Sequence, residues 1–232
     1  MNQNKKLTAA PCVIGVLIFA DPPAMAGQSF ITDDPEPVEY QHHAFCIASQ
    51  QTRRAEGKSG TIPHVDYNYG ATPELQLHLL VHYAFNNGQN GQRQSGLGDI
   101  ELGAKYRFRQ ETDNGPMVGI IPPVIAPTGN GAAQFFLTVS LQKSWGTWQS
   151  YGNHWFFGWQ LQKDIAEHLT LGGGIFHSTE QVPAEGGSNG MNLGSSYNFD
   201  EHNHLLFPAG KGLTHANTTN HDSSYFAYQL TC

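Results

Sequence analysis

Two sets of side chains in this sequence have the types and spacing to do chemistry. Asp99, Glu101, Lys105, Arg107 and Arg109 fall at alternate positions of one short stretch, and His64, Asp66, His78 and His82 do the same along two others. On an extended strand, residues two apart share a face at about 6.6 Å. The first set therefore makes a charged ladder and the second a cluster of imidazoles and carboxylates. A ladder that lines a narrow passage selects solutes by sign; its plainer role is to neutralise charges on adjacent strands inside a polar interior. The histidines have the chemistry of metal ligands or of a pH-sensitive group. Spacing fixes neither ligand number nor geometry, so hydrogen bonding is the expected role and no metal is assigned.

Other motifs offer less. Ser188-Asn189-Gly190 is part of the pattern of outer-membrane lipid hydrolases, but the residue two before the serine is Gly186 in place of the histidine such a nucleophile needs. His177 can approach only across a hairpin loop. A lipid hydrolase is thus the third reading of function, and no catalytic residue is assigned. Gly172-Gly173-Gly174 has no following helix to make it a phosphate cradle, and inside a strand pattern glycines permit bending or close packing. No cofactor is implied.

The elements that carry these residues are strands. Ile100, Leu102, Ala104, Tyr106 and Phe108 alternate with the charged ladder, and Leu75, Leu77, Leu79, Val81, Tyr83 and Phe85 alternate with Gln76, His78, His82 and Ala84. A period of two cannot be a helix face. The same alternation recurs near Val65–Tyr69, Phe135–Leu141 and Met191–Phe199. Twelve segments of this kind predict an all-β protein, a closed antiparallel transmembrane β-barrel with short periplasmic turns and longer extracellular loops. Short connections are expected at Gly70–Glu74, Glu111–Gly115, Gly146, Asp164–His168 and Asp200–Asn203. Longer ones are expected at Thr52–Ser59, Asn86–Ser95, Pro127–Ala133, Glu180–Gly190 and Thr214–Asp222. An even strand count puts both termini in the periplasm of a Gram-negative cell. Two places strain the pattern. Thr147–Lys163 must hold either one long strand or two strands with a tip near Asn153-His154, and Pro208 removes a ladder donor within a strand. Trp145, Trp148, Trp155 and Trp159 read as a lipid-facing aromatic girdle.

Lys5 and Lys6, the apolar Leu7–Ala20 and Ala24-Met25-Ala26 form a secretory signal over 1–26. A periplasmic N-terminal segment over 27–37 and a barrel over 38–232 follow. Without the signal the chain has 10 basic and 18 acidic side chains, a net charge near −8, and no basic run, which argues against nucleic acid as a partner. The 39% hydrophobic content and mean hydropathy of −0.40 fit a wall that needs apolar residues at alternate positions only. Cys46 lies on the inward phase of its strand and Cys232 on the outward phase, so no disulfide between them is expected.

Several long stretches carry a resemblance: Ile31-Thr32-Asp33-Asp34-Pro35-Glu36-Pro37, Leu97 to Phe108, Gly119 to Gly129, Leu141-Gln142-Lys143-Ser144-Trp145-Gly146 and Asn203-His204-Leu205-Leu206-Phe207. In these the chain resembles the outer-membrane transporter family named for the MetA-pathway of phenol degradation. The resemblance implies passage of a small molecule, aromatic ones included, and no catalytic residues. It also implies a terminal phenylalanine, read by the barrel-assembly machinery, where this chain has Cys232. The partners expected are outer-membrane lipid, that machinery during insertion, and a small-molecule solute; oligomeric state is left open. The function expected is a passive outer-membrane channel with a narrow polar lumen. The alternative is a structural or surface-binding barrel that transports nothing, a shortened and decaying paralogue.

Overall fold

The computed structural model describes residues 34–129, 134–135, 137–153, 157–178, 188–216 and 222–232. The chain forms twelve barrel strands. β1 is His43–Arg54, β2 Gly57–Thr72 and β3 Leu75–Gly88. β4 is Arg93–Leu97 continued by Ile100–Arg109, β5 is Met117–Ile121 continued by Val124–Ala126, and β6 is Gln134–Phe135 continued by Thr138–Trp145. β7 is Trp148–Asn153, β8 Phe157–Ala166, β9 Leu169–Ser178, β10 Ser188–Asn198, β11 Asn203–Gly212 and β12 Asp222–Thr231.

Each strand pairs antiparallel with its sequence neighbours, and β1 closes on β12 from Ala44↔Thr231 to Arg53↔Asp222. Beyond that ladder His43 N donates to Cys232 O at 2.5 Å, and Cys232 N donates to His43 O at 2.8 Å. Closure matters because a sheet edge in hydrocarbon would leave unpaired N–H and C=O groups at several kcal/mol each.

Burial is inverted relative to a protein dissolved in water. Asn68, Gln76, Lys105, Ser140, Gln142, Gln160, Asn192, Ser196 and Gln229 are buried, whereas Phe45, Leu77, Leu102, Phe108, Ile175, Leu193, Phe207 and Phe226 stand exposed on the outer wall. A Leu, Ile or Phe left in water forgoes about 1.5–3 kcal/mol of burial, so an outer wall built from them suits hydrocarbon. Trp145, Trp148 and Trp159 are among the exposed side chains, as the girdle requires; Trp155 lies outside the described residues. Cys46 is buried, Cys232 is exposed and both are free thiols, in line with their opposite phases.

Thr147–Lys163 resolves into two strands, β7 and β8. Pro208 is inward; the β11–β12 ladder skips Phe207 and Pro208 and keeps its register, which accommodates the missing donor. Pro122 and Pro123, equally unable to donate, separate the two segments of β5.

Three expectations need correction. The connections read as loops at Thr52–Ser59 and Asn86–Ser95 are mostly paired strand: Ala55-Glu56 alone joins β1 to β2, and residues 89–92 join β3 to β4. Ladder bonds use the backbone, so polar residues continue a hairpin as readily as apolar ones, and Gly57 supplies the φ of 145° at the first turn. The wall starts at His43, not at Val38. Finally, the described end of the segment expected to lie ahead of the barrel, Asp34–Pro37 with Val38, packs against the inner wall.

Candidate functional site

The lumen is lined by the inward phases of the strands, and Asp34–Val38 packs against its wall near the termini-proximal end. Pro35 and Pro37 have no N–H to give a ladder, and the stretch is held largely by side chains. Glu36 N donates to Asp34 Oδ1 at 2.9 Å, folding the segment on itself, and Val38 N donates to Gln76 Oε1 at 2.9 Å. Gln76 in turn donates from Nε2 to Asn68 Oδ1 at 2.5 Å. Lys105 Nζ donates to Glu36 O at 3.3 Å and lies 3.6 Å from Asp34 Oδ1. Arg107 Nη1 lies 3.5 Å from Glu36 Oε1, while its Nη2 donates to Pro73 O at 2.7 Å. Gly119 lets Pro35 approach, since a Cβ there would sit 3.0 Å from Pro35 Cβ. Burial pushes the Glu36 carboxyl up, opposed by the charges of Arg107 and Lys105 and by a hydrogen bond from Gln142.

The charged ladder is consequently not one continuous row. Lys105 and Arg107 anchor the N-terminal segment. Glu101 Oε1 bonds His78 Nε2 at 2.9 Å. Asp99 sits in the break between the two segments of β4, where Oδ1 accepts Gly129 N at 2.7 Å. A bulge between Arg107 and Arg109 takes Arg109 out of phase, and its guanidinium lies over Gly115 in the β4–β5 turn.

The histidine set does come together. His64 and His82 stack with ring centroids 5.9 Å apart, Tyr225 meets His64 edge-on at 6.1 Å, and Thr61 Oγ1 lies 3.1 Å from His64 Nδ1. His78 stands between Glu101 and Asp66, its Nδ1 3.8 Å from Asp66 Oδ1. Cys46 Sγ lies 3.5 Å from the Tyr225 hydroxyl beside them. Among the described residues, no group of three or more His, Cys, Asp and Glu is arranged to hold a metal ion. This is a hydrogen-bonded polar patch on β1–β4 and β12.

Across the lumen, Gln160, Thr170, Asn192 and Ser196 form a neutral polar wall. Gly174 leaves room for the Gln160 and Asn192 side chains, and Gly190 lies under the Phe176 ring, which points inward. His177 is not placed as a base for the serine of the hydrolase reading: Ser188 is buried on the inward phase, while His177 falls on the opposite face with Nδ1 2.9 Å from Asn189 Oδ1.

Sequence reasoning missed Glu36 and Phe176 as lumen residues, and it placed Gln76 and Gln142 on the polar strand phase without assigning them to the site. One signal was available for the first: an acidic, proline-punctuated Asp33-Asp34-Pro35-Glu36-Pro37 has no place in a wall and complements Lys105 and Arg107 by charge.

No family model matches the sequence, and no curated protein matches it. The fold is similar to the crystal structure of the COG4313 outer membrane channel from Pseudomonas putida F1. That match has a TM-score of 0.62 over 86% of this chain and 98% of that chain, at 16% identity. OmpT, an outer membrane protein of Vibrio cholerae, aligns at a TM-score of 0.36 and 9% identity over 83% of this chain and 97% of that one. OprG from Pseudomonas aeruginosa aligns at 0.26 and 8%, over 86% and 99%. At those scores neither adds to the comparison. The first match shows the fold, a closed antiparallel β-barrel shared with that outer membrane channel.

Proposed function

We propose that this protein is an outer-membrane channel through which small molecules pass passively along a narrow polar lumen. The observation that carries the reading is the inversion of burial, polar inside and apolar outside, around a closed barrel. Twelve strands fall between eight-stranded barrels filled by side chains and sixteen-stranded open porins, which favours small solutes. Both ends of the closure, His43 and Cys232, lie at the end of the barrel that carries the two-residue turns Pro73-Glu74, Gly146-Thr147 and Glu167-His168, against Ala55-Glu56 at the other, and this supports periplasmic termini. Aromatic solutes remain the class suggested by the family resemblance, and the inward Phe176 is compatible with them. The mechanism requires no catalytic group and no cofactor.

Docking of Asp34–Val38 inside the lumen, against Gln76, Lys105 and Arg107, favours a second reading, a barrel closed to solutes. Conductance of refolded protein in planar bilayers separates the two. The channel reading expects discrete steps that grow in Lys105→Met, which loosens the segment; silence from both proteins, each folded by its heat-dependent gel migration, would leave a non-transporting scaffold.

A further inference from the structure

Pairing register places one row of residues side by side around the end of the barrel opposite the termini: Lys211, Asp222, Arg53, Lys58, Asn87 and Arg93 on β11, β12, β1, β2, β3 and β4. Their strand phase is the outward one, shared with Phe207, Phe226, Ile47, Phe85 and Leu97. Phe85 precedes Asn87 by two residues, so the row lies about 7 Å beyond the last aromatic rings, at the level where lipid headgroups begin. From these positions, and given the outer-membrane reading above, we propose that the row is a binding belt for the phosphate groups of a phosphorylated glycolipid in the outer leaflet.

The charge balance is local and one-sided. The row sets four cations against Asp222, and Arg54 and Glu56 flank it at the β1–β2 turn. Between Arg109 and Lys211 the chain has no cations except Lys143 and Lys163; both lie near the termini-side turns, so the outer ends of β5–β10 carry none. A net-acidic chain has thus collected half of its mature Lys and Arg on one arc of one rim.

Pairing supplies a second argument. Arg53 and Lys58 stand directly opposite each other across β1 and β2, where like charges destabilise a ladder. The Arg53 guanidinium meets the Asp222 carboxylate on its other side, which offsets one charge only; a bound phosphate would offset the rest. Gln51, Arg53, Lys58, Asp222 and Ser224 also line a cleft of about 290 Å³, so the row has a concavity beside it. Exposed Arg and Lys beside a cleft match an anion with several oxygens, which Arg can grip with two N–H groups at once.

The test uses purified full-length protein in detergent with EDTA present, and compares binding of bis-phosphorylated lipid A with that of the same lipid after enzymatic removal of its phosphates. Wild type is expected to prefer the phosphorylated lipid about ten-fold or more. The triple variant Arg53→Gln/Lys58→Gln/Arg93→Gln should lose that preference, while Lys163→Gln, outside the row and stacked on Trp148 at 4.9 Å, should keep it. Equal binding of the two lipids by wild type, or an undiminished preference in the triple variant, would overturn the proposal. Heat-dependent gel migration reports folding of each protein independently. A folded wild type indifferent to phosphate refutes the belt and leaves the channel reading standing. If the triple variant fails to fold, Lys58→Gln and Arg93→Gln are read singly, and full preference in both refutes it equally.

Discussion

Replacing Lys105 by methionine tests whether the N-terminal segment is held in the lumen by charge. Methionine keeps most of the volume but removes the donor to Glu36 O at 3.3 Å and the cation 3.6 Å from Asp34. The lysine side chain is 5% exposed and that of Asp34 14%, so solvent screens the pair weakly and the surface discount for ion pairs does not apply in full. Loss of one charge-assisted hydrogen bond in such a setting costs about 2 kcal/mol, close to thirty-fold in the docking equilibrium. Arg107 stays within 3.5 Å of Glu36 and keeps the segment from leaving altogether. The reporter is the Val38 amide, bonded to Gln76 Oε1 while the segment is docked. Hydrogen exchange in detergent should show its protection fall by about thirty-fold in Lys105→Met, with wall amides such as those of β10 and β11 unchanged. Protection at Val38 equal to wild type would refute the view that Lys105 holds the segment.

Three further outcomes follow from particular contacts. Gly70→Ala places a Cβ against the backbone carbonyl of Glu39, where no side chain can yield; the variant should lose about 1–3 kcal/mol, read as a lower temperature for conversion of the folded gel band, and an unchanged temperature would contradict the close approach. Asp200, in the β10–β11 turn, has its carboxyl held below the usual range by hydrogen bonds from the Asn203 side chain and the His202 and Asn203 N–H groups. A depressed folded pKa gives stabilisation present above the unfolded value of about 4 and lost as pH falls through the folded value. NMR titration of that carboxyl should therefore show a midpoint below that of the same residue in an unfolded peptide; a midpoint at or above it would remove the turn's carboxylate cap. Cys232→Phe puts an aromatic at the exposed end of the chain, where membrane interfaces favour one, and should raise the membrane-inserted fraction at matched expression; equal fractions would show that Phe226, Tyr228 and Leu230 already suffice.

The wall was legible in the sequence because strand phase is a local property. Ile100 to Phe108 against Glu101 to Arg109, and Leu75 to Phe85 against Gln76 to Ala84, declare which side meets lipid without reference to any other strand. The inward placement of His64, Asp66, His78 and His82, the exposure of Trp145, Trp148 and Trp159 and the separate thiols follow from strand phase in the same way. What the period does not encode is where pairing stops and what fills the space it encloses. Whether Thr52–Ser59 and Asn86–Ser95 hang as loops or zip into hairpins depends on backbone bonds that polar and apolar residues make equally well. The bulge between Arg107 and Arg109 arises only against β5, and it alone removes Arg109 from the face its neighbours occupy. Lys105 meets Glu36 across 69 residues and Gln76 meets Val38 across 38; contacts so distant leave no trace in local spacing. The sequence thus determined a barrel wall and its two faces, and tertiary structure decided that two ladder cations hold the chain's own N-terminal segment in the lumen, because only closure brings that segment and β3–β6 into one interior.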